Sequence, residues 1–147
     1  MTAEIFPAIA RAVDAGMILV MASGNSGGAA PNSFAVKNAQ DHGASGLIII
    51  AGAMNANRTI ASFSNRAGTG QAANYFLTAL GVGNKTVDEF GNHVAVNGTS
   101  FATPTVVGAV ALLADAFPSL TGGQIVSLLL TTADDAGAPG TDAVFGR

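Results

Sequence analysis

Two short runs of apolar residues, each bounded by glycines, constrain the fold of this chain more than any other feature. The first, MILVMAS, lies between Gly16 and Gly24, and the second, GLIIIAGA, occupies residues 46–53. Both runs are continuous rather than alternating, which is typical of strands covered on both faces, as in a parallel sheet. Helical spacing over residues 3–15 precedes the first run. The pattern predicts an α/β fold with a mostly parallel sheet and flanking helices.

The composition favours one domain with a core of small side chains. Of the 147 residues, 49% are hydrophobic and only 10% are charged, while glycine occurs 19 times. A net charge of −3 leaves no basic field for a phosphate backbone, so we expect no nucleic acid partner. Zero cysteines exclude thiolate metal sites, and we expect no cofactor and no metal. The longest apolar run is far shorter than the ~20 residues of a membrane span, so none is expected.

The second half of the chain predicts a strand, a hairpin and two helices. Residues 75–82 form a weaker strand candidate, and NKTVDEFGNHVAVNG indicates a hairpin that turns near residues 89–91. From Thr99 the sequence is apolar almost all round, which predicts a helix buried in the middle of the domain. Thr121 and Gln124 have the spacing of a capping box that opens a last helix.

The segment NGTSFATP, residues 97–104, carries the clearest chemical signal. A nucleophilic hydroxyl needs close backbone approach, exposure at a sheet edge and N–H groups aimed at the developing oxyanion. A Gly-Thr-Ser step that runs straight into a helix offers all three, and it places Ser100 at the helix N-terminus. The alternative is structural, because Thr99 or Ser100 can equally be an ordinary helix N-cap.

Three segments, in matching order, resemble the subtilisin family of serine proteases. GTSFATPTVVGAVALL resembles the family's serine signature, which starts a central helix. ILVMASGNSG resembles the strand and loop that carry the family's oxyanion asparagine, and IASFSNRAG resembles the Ala-x-Phe-Ser-x-x-Gly segment that follows. The sequence from the serine onwards is most similar to subtilases of the bacterial autotransporter type. The implied fold is a partial three-layer subtilisin-like domain with a central buried helix.

The resemblance implies a role for five residues. Ser100 matches the nucleophile, and the Asn25 carboxamide matches the donor that completes the oxyanion hole with the nucleophile's own amide. Ala22, Ser23 and Gly24 match one wall of the pocket for the substrate side chain. From the residues alone, Asn25 also fits a turn position, and the three small residues also fit a close-packed turn.

The triad of the family is incomplete in this sequence. Family members carry Asp, then His, then Ser along the chain, and the resemblance puts the first two upstream of Met1. His42, in a polar loop, and His93 lie in no such motif, and we expect both to be solvated or structural. Residues 1–147 are therefore expected to be one partial subtilase domain. Its parent activity is peptide-bond hydrolysis on a polypeptide substrate, and the chain alone is expected to be inactive because it lacks a base.

The same residues bear on two other functions. GNSGG lacks the spacing of a dinucleotide loop, and GVGNKT lacks the glycine before Lys85 that a phosphate loop requires. A non-catalytic α/β interaction module stays open, because part of a domain exposes an apolar sheet edge that would bind the missing N-terminal part or another chain. The resemblance implies a secreted or cell-surface protein, although the N-terminal residues do not form a signal peptide.

Overall fold

The computed structural model describes residues 4–147, so Ala3 of the first predicted helix lies outside the described residues. Five strands and four α-helices follow one another in the described part of the chain, together with 3₁₀ turns at Gly43–Ser45 and Gln71–Tyr75. In chain order the elements are α1 (Ile5–Asp14), β1 (Leu19–Ala22), α2 (Ser33–His42), β2 (Ile48–Met54), β3 (Phe76–Leu80), β4 (Asn84–Val87), β5 (His93–Val96), α3 (Thr99–Ala116) and α4 (Gly122–Thr132).

The two apolar runs form neighbouring strands of a parallel sheet, as predicted. The sheet has the order β1-β2-β3, with Leu19 opposite Ile48 and Ala51 opposite Leu77. Strand β2 is central and is buried at every residue except Met54, which explains its unbroken apolar sequence. The separate β4–β5 pair is the predicted antiparallel hairpin.

Helices cover both faces of the sheet, which gives three layers. Ile48 and Ile50 pack into one apolar cluster with residues of α1 and α2, while Ile49 and Ala51 pack into another with α3 and α4. This division follows from the strand period of two, because successive side chains point to opposite faces. The α/β fold class is confirmed.

Helix α2 was not predicted, and the placement of His42 in a loop was wrong. The side chain of Asn32 caps α2 by accepting a hydrogen bond from the Ala35 amide at 2.9 Å, and His42 is its last residue. The apolar face of this helix consists largely of the small residues Ala35 and Ala39, so its periodic signal in the sequence is weak.

Helix α3 is buried on one face only, so the prediction of burial all round needs correction for this chain. Thr99, Ala102 and Val106 are buried against the sheet, whereas Val107 is 47% exposed and Leu112 is 73% exposed. The reason is geometric, because in the described residues the sheet and α4 cover only part of the helix surface. By length and apolarity alone α3 could cross a membrane, but here it packs on the sheet.

Two features of the sequence shape the starts of the last two helices. Pro104 lies in the second turn of α3, and its missing N–H leaves the Ser100 carbonyl without its usual helical donor. The capping box of α4 is confirmed, because Thr121 and Gln124 exchange side-chain and backbone hydrogen bonds.

Candidate active site

The carboxyl ends of the three parallel strands meet at one edge of the sheet, and α3 begins at that edge. The Gly81 amide, just after β3, donates to the Met54 carbonyl at 3.1 Å. The Gly98 amide in turn donates to the Gly81 carbonyl at 2.8 Å. This chain of hydrogen bonds fixes the start of α3 beside the strand ends. Such an edge is where ligands bind in open α/β sheets.

Ser100 is exposed at the second position of α3. Neither its hydroxyl nor its amide forms a hydrogen bond within residues 4–147. Gly98, which precedes the helix, has a φ of +154°, a conformation that side chains disfavour. A free amide and the positive end of the helix dipole therefore lie next to an accessible hydroxyl.

The carboxamide of Asn25 is oriented by Thr99, the residue before Ser100. Asn25 Oδ1 accepts from the Thr99 amide at 2.8 Å and from its hydroxyl at 2.9 Å. Because the oxygen is occupied, the Nδ2 group is left to donate to something else. That nitrogen faces Gly98, since a Cβ built there would lie 3.6 Å from it. The Asn25 side chain thus lies against Gly98 and Thr99, the two residues that precede Ser100.

The three small residues predicted to line the substrate pocket differ in exposure. Ser23 is fully buried, and its hydroxyl donates to the Asn65 carbonyl at 3.0 Å. The Ala22 carbonyl accepts from the Asn32 side chain at 3.0 Å, and the Gly24 amide donates to Thr99 Oγ1 at 3.4 Å. The Ser23 hydroxyl is therefore unavailable to a ligand. Whether the backbone of this segment forms a pocket wall stays a prediction.

Sequence reasoning missed Asn65, which is 5% exposed and holds the loop that contains Asn25. Its side-chain oxygen accepts hydrogen bonds from the Ser26 amide, the Ser26 hydroxyl and the Gly28 amide. The segment IASFSNRAG was recognised only as a resemblance. The only local signal was that Asn65 is a polar residue close to apolar ones. Its partners Ser26 and Gly28 are 39 and 37 residues away in sequence, so this signal could not reveal them.

Neither histidine lies near Ser100. His42 ends α2 and leads through a 3₁₀ turn into the amino end of β2, so it lies at the opposite edge of the sheet. His93 begins β5 opposite Val87, at the hairpin end remote from α3. Both fit the predicted structural or solvated role. No cluster of three or more His, Asp or Glu side chains that could hold a metal occurs among residues 4–147.

The carboxylates with perturbed acidity lie in loops away from this edge. The side chain and backbone of Asn92 lower the pKa of Asp88, in the turn of the hairpin. For Asp142, burial works to raise the pKa, but amides of Phe145, Val144 and Ala138 outweigh it and hold the pKa below its ordinary value. In both cases the carboxylate accepts hydrogen bonds that hold its own loop together, which indicates a structural rather than a catalytic role.

A family comparison agrees with this geometry. The sequence model of the subtilase family matches residues 2–147. The chain belongs to the subtilase family. Among curated relatives, this subtilase chain is 32% identical over 149 residues to serotype-specific antigen 1 of Mannheimia haemolytica, covering 97% of the chain and 16% of the relative. It is 31% identical over 131 residues to subtilisin DY of Bacillus licheniformis, covering 88% of the chain and 44% of the relative.

The autotransporter likeness and the fold are supported as well. The subtilase chain is 44% identical over 55 residues, 37% of its length and 5% of the relative, to the autotransporter lipoprotein NalP of Neisseria meningitidis. The PagA prenylagaramide maturation protease has a similar structure, with a TM-score of 0.77 and 21% identity over 95% of this chain and 50% of that one. The self-cleaved protease domain of PatA has a TM-score of 0.72 and 25% identity over 87% and 46%. The chain thus spans at most about half of these relatives and has a serine protease fold.

Proposed function

We propose that this chain is the nucleophile-bearing part of a serine endopeptidase domain. In this proposal Ser100 attacks the scissile carbonyl, and the Asn25 side chain together with the Ser100 amide holds the oxyanion. The remainder of the domain, outside residues 1–147, supplies the triad histidine and aspartate. The observation that supports this most is the pair of hydrogen bonds from Thr99 to Asn25 Oδ1, which leaves Asn25 Nδ2 free beside the start of α3.

The proposed chemistry is acyl transfer from a polypeptide substrate. The Ser100 Oγ forms a bond to the carbonyl carbon, its proton passes to the histidine, and the carbonyl oxygen becomes an oxyanion. Collapse of this intermediate breaks the C–N bond, and the leaving amine takes the proton from the histidine. Water then hydrolyses the acyl-enzyme by the same steps. The chain's own share is the nucleophile and two donors at the oxyanion.

Without a base, Ser100 remains a weak nucleophile, and so we expect the isolated chain to hydrolyse casein no faster than Ser100→Ala. A chimera tests the proposed role of Ser100 directly. In it, the residues of this chain replace the matched residues of subtilisin DY, whose remainder supplies the other triad groups. A folded chimera should hydrolyse casein and react with a fluorophosphonate probe, and Ser100→Ala should abolish both. A chimera with native circular dichroism and no activity would contradict the proposal.

The location follows from the same relatives as a proposal. NalP is named an autotransporter lipoprotein and serotype-specific antigen 1 an antigen, and the chain resembles both. We expect the intact protein to be exported and displayed at the cell surface. Digestion of intact cells with an external protease should remove it, and full protection until the cells are lysed would contradict this location.

A second candidate function is a non-catalytic binding module, and one observation favours it. Strand β1 is an edge strand whose residues 19 and 23 hydrogen-bond to the β2 side. Because alternate residues point the other way, Val20 presents its N–H and C=O to the open side. On α3, the side chain of Val107 is exposed. On another side of the same helix, Thr105 and Ala109 line a cavity together with residues of β3 and α4. Both features suit an added polypeptide, and the activity of the folded chimera decides between the two candidates.

A further inference from the structure

The loop that carries Asn25 is clamped by a segment that lies far from it in sequence. Residues 63–66 follow the β2 strand, yet they hydrogen-bond along the whole 23–28 loop. The Gly27 amide donates to the Phe63 carbonyl at 2.7 Å, and the Arg66 amide donates to the Gly28 carbonyl at 2.9 Å. At the centre of this clamp lies Asn65, which the resemblance gave no role.

Asn65 contacts the loop on both sides of Asn25. Before Asn25, the Asn65 amide donates to the Gly24 carbonyl at 2.9 Å. After Asn25, Asn65 Oδ1 accepts from the Ser26 amide at 3.0 Å, the Ser26 hydroxyl at 2.8 Å and the Gly28 amide at 3.0 Å. A carboxamide oxygen buried with this many donors is held in one orientation.

The glycines of the loop are shaped around this side chain. A Cβ added to Gly24 would lie 2.7 Å from Asn65 Nδ2, and one added to Gly28 would lie 3.4 Å from the same atom. Gly24 also has a φ of +111°, which favours glycine. The Asn65 carboxamide is therefore enclosed between Gly24 and Gly28, on either side of residues 25–27.

We propose that Asn65 is a positioning residue of the oxyanion site, which holds the 23–28 loop so that Asn25 meets Thr99 and directs its Nδ2 group towards the developing charge. This inference rests on the proposed function for its catalytic meaning. Its structural content can be tested without activity, and no hydrogen bond joins Asn65 to Thr99, so any effect on Thr99 must pass through the 23–28 loop. Among residues 4–147 the Thr99 amide has no other acceptor, since the first amides of a helix lack helical partners. Its protection therefore reports on the position of Asn25.

The test is amide hydrogen exchange, followed by NMR, in the whole 147-residue chain at pH 7. In Asn65→Ala, the Ser26, Gly28 and Thr99 amides should each exchange about tenfold faster, the effect expected from losing one hydrogen bond. Asn65→Asp should restore protection at all three amides, because a carboxylate oxygen can accept the same bonds. The matched control is Asn57→Ala, which removes an Asn oxygen that accepts from Thr59 in an exposed turn and should leave all three amides unchanged.

Two results would overturn the inference. One is faster exchange at Ser26 and Gly28 with unchanged Thr99 protection, which would make Asn65 a local loop residue only. The other is no change at any of the three amides. If Asn65→Ala does not fold, couplings across the hydrogen bonds from the Ser26 and Gly28 nitrogens to the Asn65 carboxamide carbon decide the matter in the unmutated chain, and their absence would refute the clamp. Failure of the protease proposal appears separately, as an inactive folded chimera with these exchange results intact.

Discussion

Thr99 fixes Asn25 through two hydrogen bonds to one atom, the Asn25 side-chain oxygen, at 2.8 and 2.9 Å. Thr99 is fully buried, whereas the next residue, Ser100, is exposed. One helical step thus separates a buried anchor from an accessible hydroxyl. This relationship joins the loop after β1 to the start of α3.

Thr99→Val should destabilise the fold by about 1–2 kcal/mol, because a buried hydrogen bond is lost and the Gly24 amide loses its acceptor. Thr105→Val is the matched control. Thr105 also bonds through its hydroxyl, to the Phe101 carbonyl, but it is exposed, so its loss should stay within about 0.5 kcal/mol. Urea denaturation measures both values. Equal losses for the two variants would mean that Thr99 anchors nothing in particular.

Two glycine substitutions at α3 should act in opposite directions. Gly98→Ala should destabilise the chain by about 1–3 kcal/mol, because the φ of +154° disfavours a side chain although space is available. Gly108→Ala should stabilise it by about 0.5–1 kcal/mol, because Gly108 lies inside the helix and a Cβ there meets nothing within 4 Å. Thermal unfolding followed by circular dichroism tests both. A neutral Gly98→Ala would show that the entry to α3 is not constrained.

The Asp142 carboxylate should make stability depend on pH in the acid range. Burial opposes its ionisation, but the amides of Phe145, Val144 and Ala138 hold its pKa below the ordinary value of 3.8. A depressed pKa in the folded chain contributes stability that is fully present well above 3.8 and is lost as the pH falls below it. The stability difference between the native chain and Asp142→Asn should therefore shrink as the pH falls through this range. A difference that stays constant from pH 7 to pH 3 would contradict the assignment.

The sequence was sufficient for the sheet and for the start of α3 at which Ser100 lies, and the reasons are physical. Strand β2 is buried on both faces, so every residue carries the same apolar signal, and Gly-Thr-Ser before an apolar run marks a helix start. Helix α2 escaped notice because its packing face is made of Ala35 and Ala39 and also buries the polar Asn38. Small residues pack closely without creating a strong periodic pattern.

The supporting residues of the site could not be found from local sequence. Asn65 acts on residues about 40 positions away, and nothing in the order of neighbouring residues encodes that contact. The exposure of α3 was missed for a related reason. Val107 and Leu112 are as apolar as core residues. Only the positions of the sheet and α4 show that the side of α3 that carries them is not covered.

The central claim is that Asn25 donates a hydrogen bond to the oxyanion that forms when Ser100 attacks. The most direct measurement is kcat for peptide hydrolysis by the subtilisin DY chimera with Asn25→Leu, next to the chimera with Asn57→Leu as a surface control. Loss of one such donor in a subtilisin lowers kcat by about 10²–10³, and that borrowed magnitude is the expectation here, with little change in KM. The control should keep the full rate. A chimera in which Asn25→Leu leaves kcat unchanged would contradict the account.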